Sequence, residues 1–279
     1  MTTTTEFERE VQAGERFEFG SNWARFLSTL TDEQIESAEE SLREMLEVND
    51  LRGVRFLDIG CGSGLFSLAA RRMGASVHSF DYDPSSVGCA LTLRTKYFPD
   101  DEDWVVEQGS VLDREYMESL GSFDIVYSWG VLHHTGAMWR ALENAMLPTT
   151  VDGKLWIAIY NFQGTASARW TAVKRFYNKS PQPIKFLTAV GVLILTWWRP
   201  VTKDLLLLRP FSSWRNHPGR RRGMATWHDV VDWVGGYPFE VAKPEEIFDF
   251  FRQRGYMMTK LKTCGGSMGC NEFVFQRTQ

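Results

Sequence analysis

Cysteine is sparse in this chain and is not spaced for metal. The 279 residues hold four, Cys61, Cys89, Cys264 and Cys270, and no CxxC pair. A zinc knuckle and a thioredoxin-type motif are excluded, and reduced, unpaired thiols of a cytosolic protein are expected. Long apolar runs are also missing. The longest, Phe186 to Trp198, covers 13 residues, a helix of roughly 20 Å against the ~30 Å of hydrocarbon a spanning helix must cross. The opening MTTTTEFEREVQ has neither a basic segment nor an apolar one behind it, so a secretion leader is not expected. Charge of one sign is absent from the average. Lys and Arg number 31 against 35 Asp and Glu, for a net charge of −4, which excludes a uniformly basic nucleic-acid binder. There is no internal repeat and no low-complexity tract. What remains is globular in composition: 43% hydrophobic, 24% charged, 14% aromatic, with eleven tryptophans. A disordered or fibrous chain is therefore excluded, and one large core is affordable in length.

Residues 1–50 read as helical. Thr31-Asp-Glu-Gln34 has the form of a capping box, followed by Ile35, Ala38, Leu42, Met45 and Leu46 at helical spacing. Strands then alternate with helices. Strands are expected at 54–59, 76–80, 104–106, 123–128 and 154–160, with helices at 65–73, from Asp83-Pro84 onward, and at 136–146. That alternation implies a parallel, doubly wound sheet. A final helix at 244–254 leads to two strands, 256–263 and 271–276, joined by Gly265-Gly-Ser-Met-Gly269, which suits a hairpin. The expected fold class is α/β: a doubly wound, mostly parallel sheet with a C-terminal antiparallel hairpin. The 161–240 stretch is too long for a plain connection and is expected to form a helical cap.

The strongest chemical signal is Phe56-Leu-Asp-Ile-Gly-Cys-Gly-Ser-Gly64. A buried strand delivers glycines 60, 62 and 64 into a turn that opens a helix, so a ligand can lie against backbone N–H groups. The spacing differs from the dinucleotide fingerprint GxGxxG. Asp58, at the strand's end, suits a cationic ligand group and would repel a pyrophosphate. Asp81 ends the second strand about 20 residues on, where an acid can accept hydrogen bonds from ribose hydroxyls. This pattern resembles the class I S-adenosylmethionine-dependent methyltransferases, over residues 54–160 and 244–277. The resemblance implies a seven-stranded sheet with its last strand antiparallel, and S-adenosyl-L-methionine as cofactor. It implies that Asp58, Gly60, Gly62 and Gly64 hold the methionine part, that Asp81 binds the ribose, and that Tyr82 lies near the adenine. Ser110 and Val111 stand where many members carry an acid on the adenine amine, so that contact would come from backbone or from Asp113.

Strand four runs into Tyr127-Ser-Trp-Gly-Val-Leu-His133-His134-Thr135. An LHH sequence here resembles the small-molecule members, including quinone-biosynthesis enzymes, with Trp129 beside the cofactor. O-methylation is the first expectation, with N- or C-methylation open. Methyl transfer needs alignment and removal of a proton from the acceptor, and His133 or His134 is the candidate base; alternatively both only shape the loop. A metal role lacks the carboxylates it would need. Tyr160, Asn161 and Asn271 at the sheet's carboxyl edge, and Trp23 in an aromatic N-terminal lid (residues 1–50), are candidate acceptor contacts, with Glu272 beside Asn271.

The mean charge conceals a division. Residues 161–222 carry twelve Lys and Arg and one acid, Asp204, a net +11 against −15 for the rest. The Phe186–Trp198 run lies within it, flanked by Lys185 and Arg199, and Leu205–Leu208 adds a second apolar patch. Flanking cations and a Trp pair suit an interfacial helix. Three readings stand: a cap over a lipophilic or anionic acceptor, in peripheral contact with the inner face of an anionic membrane; a buried cap or oligomer interface; and an RNA footprint, the least favoured. An RNA- or protein-directed methyltransferase and a non-catalytic assembly factor are the alternatives to a small-molecule enzyme. The sequence leaves the oligomeric state open.

Overall fold

Seven strands form the centre of the molecule: β1 (Arg55–Ile59), β2 (Ser76–Asp81), β3 (Trp104–Gln108), β4 (Phe123–Trp129), β5 (Thr149–Tyr160), β6 (Tyr256–Lys262) and β7 (Cys270–Arg277). The computed structural model describes residues 5–207, 209, 226–266 and 269–278. The sheet order is β3-β2-β1-β4-β5-β7-β6. β1 to β5 run parallel, and β7 is antiparallel to both β5 and β6. The expected antiparallel hairpin is present, but its last strand inserts between β5 and β6, leaving β6 at the edge. The order reverses between β1 and β4, so the carboxyl ends of these two strands border the crevice where such sheets bind ligands.

Successive residues of β1 point to opposite faces. Leu57 and Ile59 join Val126, Leu142, Phe251 and Phe275 in one core, while Phe56 joins Trp104, Ile125 and Trp156 in the other. Helices α4 (Leu65–Arg72), α5 (Pro84–Tyr97), α6 (Arg114–Ser119) and α7 (Met138–Met146) cover the two faces. They are preceded by α1 (Glu6–Gln12), α2 (Gly20–Ser28) and α3 (Asp32–Leu46). The Thr31 capping box closes as its residues dictate, with the Thr31 N–H donating to Gln34 Oε1 at 2.8 Å. Asp83 caps α5 through the Ser85 N–H at 2.8 Å, with Pro84 in its first turn. Packing divides the 1–50 segment. Ile35, Leu42 and Leu46 of α3 have no exposed surface in the sheet's second core, each contributing roughly 1.5–3 kcal/mol by burial. α1, α2 and the segment joining them cover the crevice, with Gln34, Ser37, Ala38 and Ser41 of α3 also bordering it.

Beyond β5, α8 (Thr165–Lys179), α9 (Gln182–Leu206) and α10 (Thr226–Gly235) pack together through Tyr177, Ala189, Val192, Val230 and Val234, and α11 (Pro244–Arg252) returns the chain to the sheet. α9 has 25 residues, much longer than the apolar run that announced it. No helix among the described residues is long and apolar enough to cross a membrane. Trp214, Arg215, Arg220, Arg221 and Arg222, part of the expected basic surface, lie outside the described residues, as does Leu208.

Candidate active site

The β1 strand ends at a loop whose glycines, 60, 62 and 64, all have positive φ (74°, 53° and 79°). That region favours glycine, and space demands it too. A Cβ on Gly60 would lie 2.4 Å from Val131 Cγ1, and one on Gly62 would lie 3.1 Å from the Trp23 indole. Asp58 is 2% exposed. Its carboxylate accepts the Ser67 hydroxyl at 2.5 Å. Burial pushes its pKa up to about 7, Ser67 opposing and the Asp81 charge adding to the rise. Asp81 is pushed up to about 6, again chiefly by burial. It accepts the Gly62 and Asp83 N–H groups, each at 2.9 Å. Tyr82 follows, with Phe7 edge-on at 5.6 Å and the Arg16 guanidinium 4.9 Å from its ring centre. Burial and the acids Glu10 and Glu6 raise its phenol to about 12.

The segment between α1 and α2 is tied to both sides of the crevice. The Gly20 N–H donates to Asp83 Oδ2 at 2.7 Å, Arg16 donates to the His134 carbonyl at 3.1 Å, and the Phe17 N–H donates to the Tyr237 carbonyl at 2.9 Å. Asn22 donates to Asp232 of α10. The crevice is thereby roofed into a cavity of about 1000 Å³. Its walls include Asp58, Gly60, Gly62, Asp81, Tyr82, Ser110, Val111, Trp129, His134, Tyr160 and Trp23 from the sequence reading. Trp23, expected on the acceptor side, stands over Gly62, because α2 crosses the glycine loop.

Five expected residues stand elsewhere. Gly64 is turned away from the cavity, where a Cβ would meet the Ala90 backbone at 2.8 Å; it allows α4 and α5 to approach. His133 is fully buried, its ring 4.2 Å from that of Tyr160 and 4.5 Å from that of His134. Burial holds it well below the usual histidine pKa, so it is a neutral packing ring. Asn161 and Asn271 hydrogen-bond to each other at 3.1 Å, and Asn271 also accepts the Cys264 N–H at 3.1 Å. That pair clamps the final hairpin, outside the cavity wall. Asp113 caps α6 through the Tyr116 N–H at 3.1 Å and is likewise absent from the wall.

His134 is the histidine that faces the cavity. Its Nδ1–H donates to the Pro238 carbonyl at 2.6 Å, which leaves Nε2 with the lone pair. Burial lowers its pKa to about 3, with the charges of Lys174 and Arg16 acting the same way. Around it stand Tyr160 (5.5 Å) and Phe19 (5.2 Å), with Trp233 against Tyr160 at 5.6 Å. Val192 and Trp197 of α9, Asp232 and Trp233 of α10, and Cys270 and Glu272 of β7 complete this end. Lys174 of α8, 1% exposed, donates to the Trp233 carbonyl and sits over the Trp233 and Phe239 rings at 4.2 and 4.7 Å. Burial brings it down to about 7. In sequence it is one of twelve basic residues, and nothing local distinguishes it. Among the described residues no group of three or more His, Cys, Asp or Glu side chains is placed to hold a metal ion.

The cavity thus has an acidic, glycine-lined end and an aromatic, imidazole-bearing end. The acidic end fits a ligand with an ammonium and vicinal hydroxyls: the buried carboxylate of Asp58, the half-buried one of Asp81, a loop with no Cβ at Gly60 or Gly62, and an aromatic shelf at Tyr82. Against known proteins, the chain is 31% identical over 127 residues to ubiquinone biosynthesis O-methyltransferase of Rhizobium etli (strain CIAT 652), covering 45% of this chain and 49% of the relative. It spans about half the length of the curated relatives it matches. Magnesium protoporphyrin IX methyltransferase from Synechocystis PCC 6803, solved with bound SAH, shares the fold at a TM-score of 0.50 and 14% identity, over 99% of this chain and 90% of that one. An O-methyltransferase family protein from Burkholderia thailandensis does so at 0.53 and 13%, over 89% and 58%. Residues 50–217 match the family model described as a methyltransferase domain, and with more than half its length inside that match the chain belongs to the methyltransferase-domain family.

Proposed function

We propose that this protein transfers the methyl group of S-adenosylmethionine to an oxygen of a small, lipophilic or anionic acceptor. The observation that supports this is the single cavity running from Asp58 and Asp81 to His134 and Tyr160. Asp58 would pair with the cofactor's ammonium, Asp81 with its ribose hydroxyls, and Tyr82, Ser110 and Val111 would border its base. Bound there, the cofactor supplies an electrophilic methyl on sulfur. The acceptor would lie between His134, Tyr160 and the inner wall of α9, which holds it in line and keeps water out. His134 Nε2, neutral and unprotonated, accepts the hydrogen bond of the acceptor hydroxyl. The O-methyltransferase name of the Rhizobium relative favours oxygen. The test is incubation of the full chain with methyl-labelled cofactor and a cell extract. A labelled product in the organic-soluble fraction is expected; label confined to RNA or protein overturns the proposal.

The reading extends to location. Leu187, Ile194, Leu195, Trp198, Leu205 and Leu206, all on α9, are each more than half exposed, an apolar face of a kind that marks interaction sites. Arg175, Lys179 and Lys203 are exposed nearby along the sequence, and Asp204 is the only acid between residues 161 and 222. We propose that this face rests on an anionic bilayer, as flanked apolar helices do, while Val192 and Trp197 of the same helix line the cavity. The protein would then be cytoplasmic and peripheral, taking a lipophilic acceptor from the membrane. Co-sedimentation with phosphatidylglycerol vesicles at low salt is expected, and Leu187→Glu with Ile194→Glu should abolish it. A chain that stays in solution, or that dimerises through this face in light scattering, overturns the membrane contact.

A further inference from the structure

A directed chain of hydrogen bonds ends on Asp58. The Trp104 indole Nε1–H donates to Ser79 Oγ at 2.9 Å, the Ser79 hydroxyl to Ser67 Oγ at 2.8 Å, and the Ser67 hydroxyl to Asp58 Oδ2 at 2.5 Å. Trp104, Ser79 and Ser67 have no exposed surface, so water does not interrupt the chain. Its members come from β3, β2 and α4 and converge on β1, where Ser79 is the direct sheet partner of Asp58. The direction follows from chemistry. An indole N–H only donates, and an ionised carboxylate only accepts. Each hydroxyl between them must therefore point toward Asp58. If Asp58 carried a proton and donated it to Ser67, the Ser67 hydroxyl would turn to Ser79. Ser79 would then receive protons from both sides, and no acceptor would remain in the chain for its own.

We propose that Trp104, Ser79 and Ser67 are positioning residues that hold the Asp58 carboxylate ionised and aimed at the cofactor's ammonium. The inference rests on the proposed cofactor role of Asp58. It explains how a carboxylate this deeply buried stays available as an anion: burial and a second carboxylate, Asp81, disfavour its charge, and a chain with a fixed donor at its far end favours it. The other titratable groups electrostatically linked to Asp58 are Asp81 on β2, Cys61 in the loop and Tyr127 on β4, with Glu272 on β7 linked in turn to Tyr127. Burial keeps the Cys61 thiol and the Tyr127 phenol protonated. Asp81, Glu272 and the ligand are common to variant and wild type, so a ratio of affinities isolates the change at Asp58.

The experiment is calorimetric titration of the full chain with S-adenosylhomocysteine from about pH 6 to pH 8.5, for wild type, Ser67→Ala, Ser79→Ala and Asp58→Asn. Breaking the chain raises the Asp58 pKa. Both serine variants should therefore bind about tenfold more weakly than wild type at the acid end, the consequence of a rise of about one in that pKa. The deficit should shrink to within about twofold at the alkaline end, where Asp58 is ionised in all of them. A loss equal at every pH, which a packing defect alone would give, overturns the proposal, as does no loss at all. Ser79→Ala removes a hydroxyl two bonds of the chain away from Asp58, so it remains informative if Ser67→Ala folds poorly. If Asp58→Asn binds as wild type does, the cofactor reading itself fails; if only the serine variants match wild type, that reading stands and the relay falls.

Discussion

Asp58→Asn is expected to weaken binding of S-adenosylmethionine by roughly a hundredfold, because removing one partner of a buried, hydrogen-bonded charge pair costs about 2–5 kcal/mol. Asn preserves the shape of the site and still accepts the Ser67 hydroxyl. What it removes is the charge, in a place where 2% exposure leaves little water to compensate the proposed ammonium. The free protein should not suffer equally. Asp58 is raised to about 7 by burial and the neighbouring Asp81, so its ionisation above neutral pH is a cost to the unliganded fold. The sign follows: a carboxyl with a raised folded pKa binds its proton more readily folded than unfolded, and that contribution to stability is lost as pH rises through about 7. Asp58→Asn should therefore melt no lower than wild type at pH 8 while binding far more weakly. Wild-type affinity should fall as pH drops below about 7, since the proton displaces the charge that pairs with the ligand, and this dependence should flatten in the variant. Calorimetry and thermal melts at pH 6 and pH 8 check both. Unchanged affinity would remove Asp58 from the cofactor site.

His134→Ala is expected to lower kcat by about a hundredfold, the lower range for a positioned proton acceptor, with cofactor affinity little changed. The Pro238 carbonyl fixes the proton on Nδ1 and leaves Nε2 as the only nitrogen able to accept. Because burial lowers His134 to about 3, it stays unprotonated across the working range. An acid limb near pH 6.5 in kcat should therefore be absent. A basicity this low makes His134 weak at taking a full proton and better suited to aligning the acceptor hydroxyl and receiving its proton as the bond to the methyl forms. Steady-state rates with the acceptor found by labelling check this. Full turnover by His134→Ala would assign that task elsewhere. His133→Ala should differ in kind. Its ring fills a sealed space against Tyr160, so truncation should cost about 2–4 kcal/mol of stability, as large-to-small changes in cores do, and should show in a lower Tm before it shows in kcat.

The residues of the acidic end were legible because the chemistry there is local. Asp58 and the glycines lie within seven positions, and Asp81 terminates the next strand. Capping at Thr31 and Asp83 was legible for the same reason, since a cap is satisfied within three residues. The adjacent His133 and His134 show where such reading stops. Both belong to one motif, and only the short turn over Leu132–His134, together with Pro238 far along the chain, turns one ring to the cavity and seals the other. Asn161 and Asn271 sit at the correct sheet edge, yet they face each other across the β5–β7 pair. Ser67, Ser79, Trp104, Lys174 and Asp232 gave no signal, because a serine or a lysine inside a helix pattern reads as surface until its neighbours are known.

The sequence by itself determined the parallel sheet, the glycine turn, the acids that end β1 and β2 and the basic, aromatic character of the cap, since each depends on residue spacing or composition over a few turns of chain. Only the tertiary structure decided that β7 lies inside the sheet, that α2 brings Trp23 over Gly62, that Lys174 is buried, and that α9 offers one face to the cavity and another to the outside. Those depend on contacts between residues about 40 to more than 200 positions apart, such as Trp23 with Gly62 and Asn22 with Asp232. At such separations pairing is selected by the shape and burial of whole elements, which no local pattern encodes.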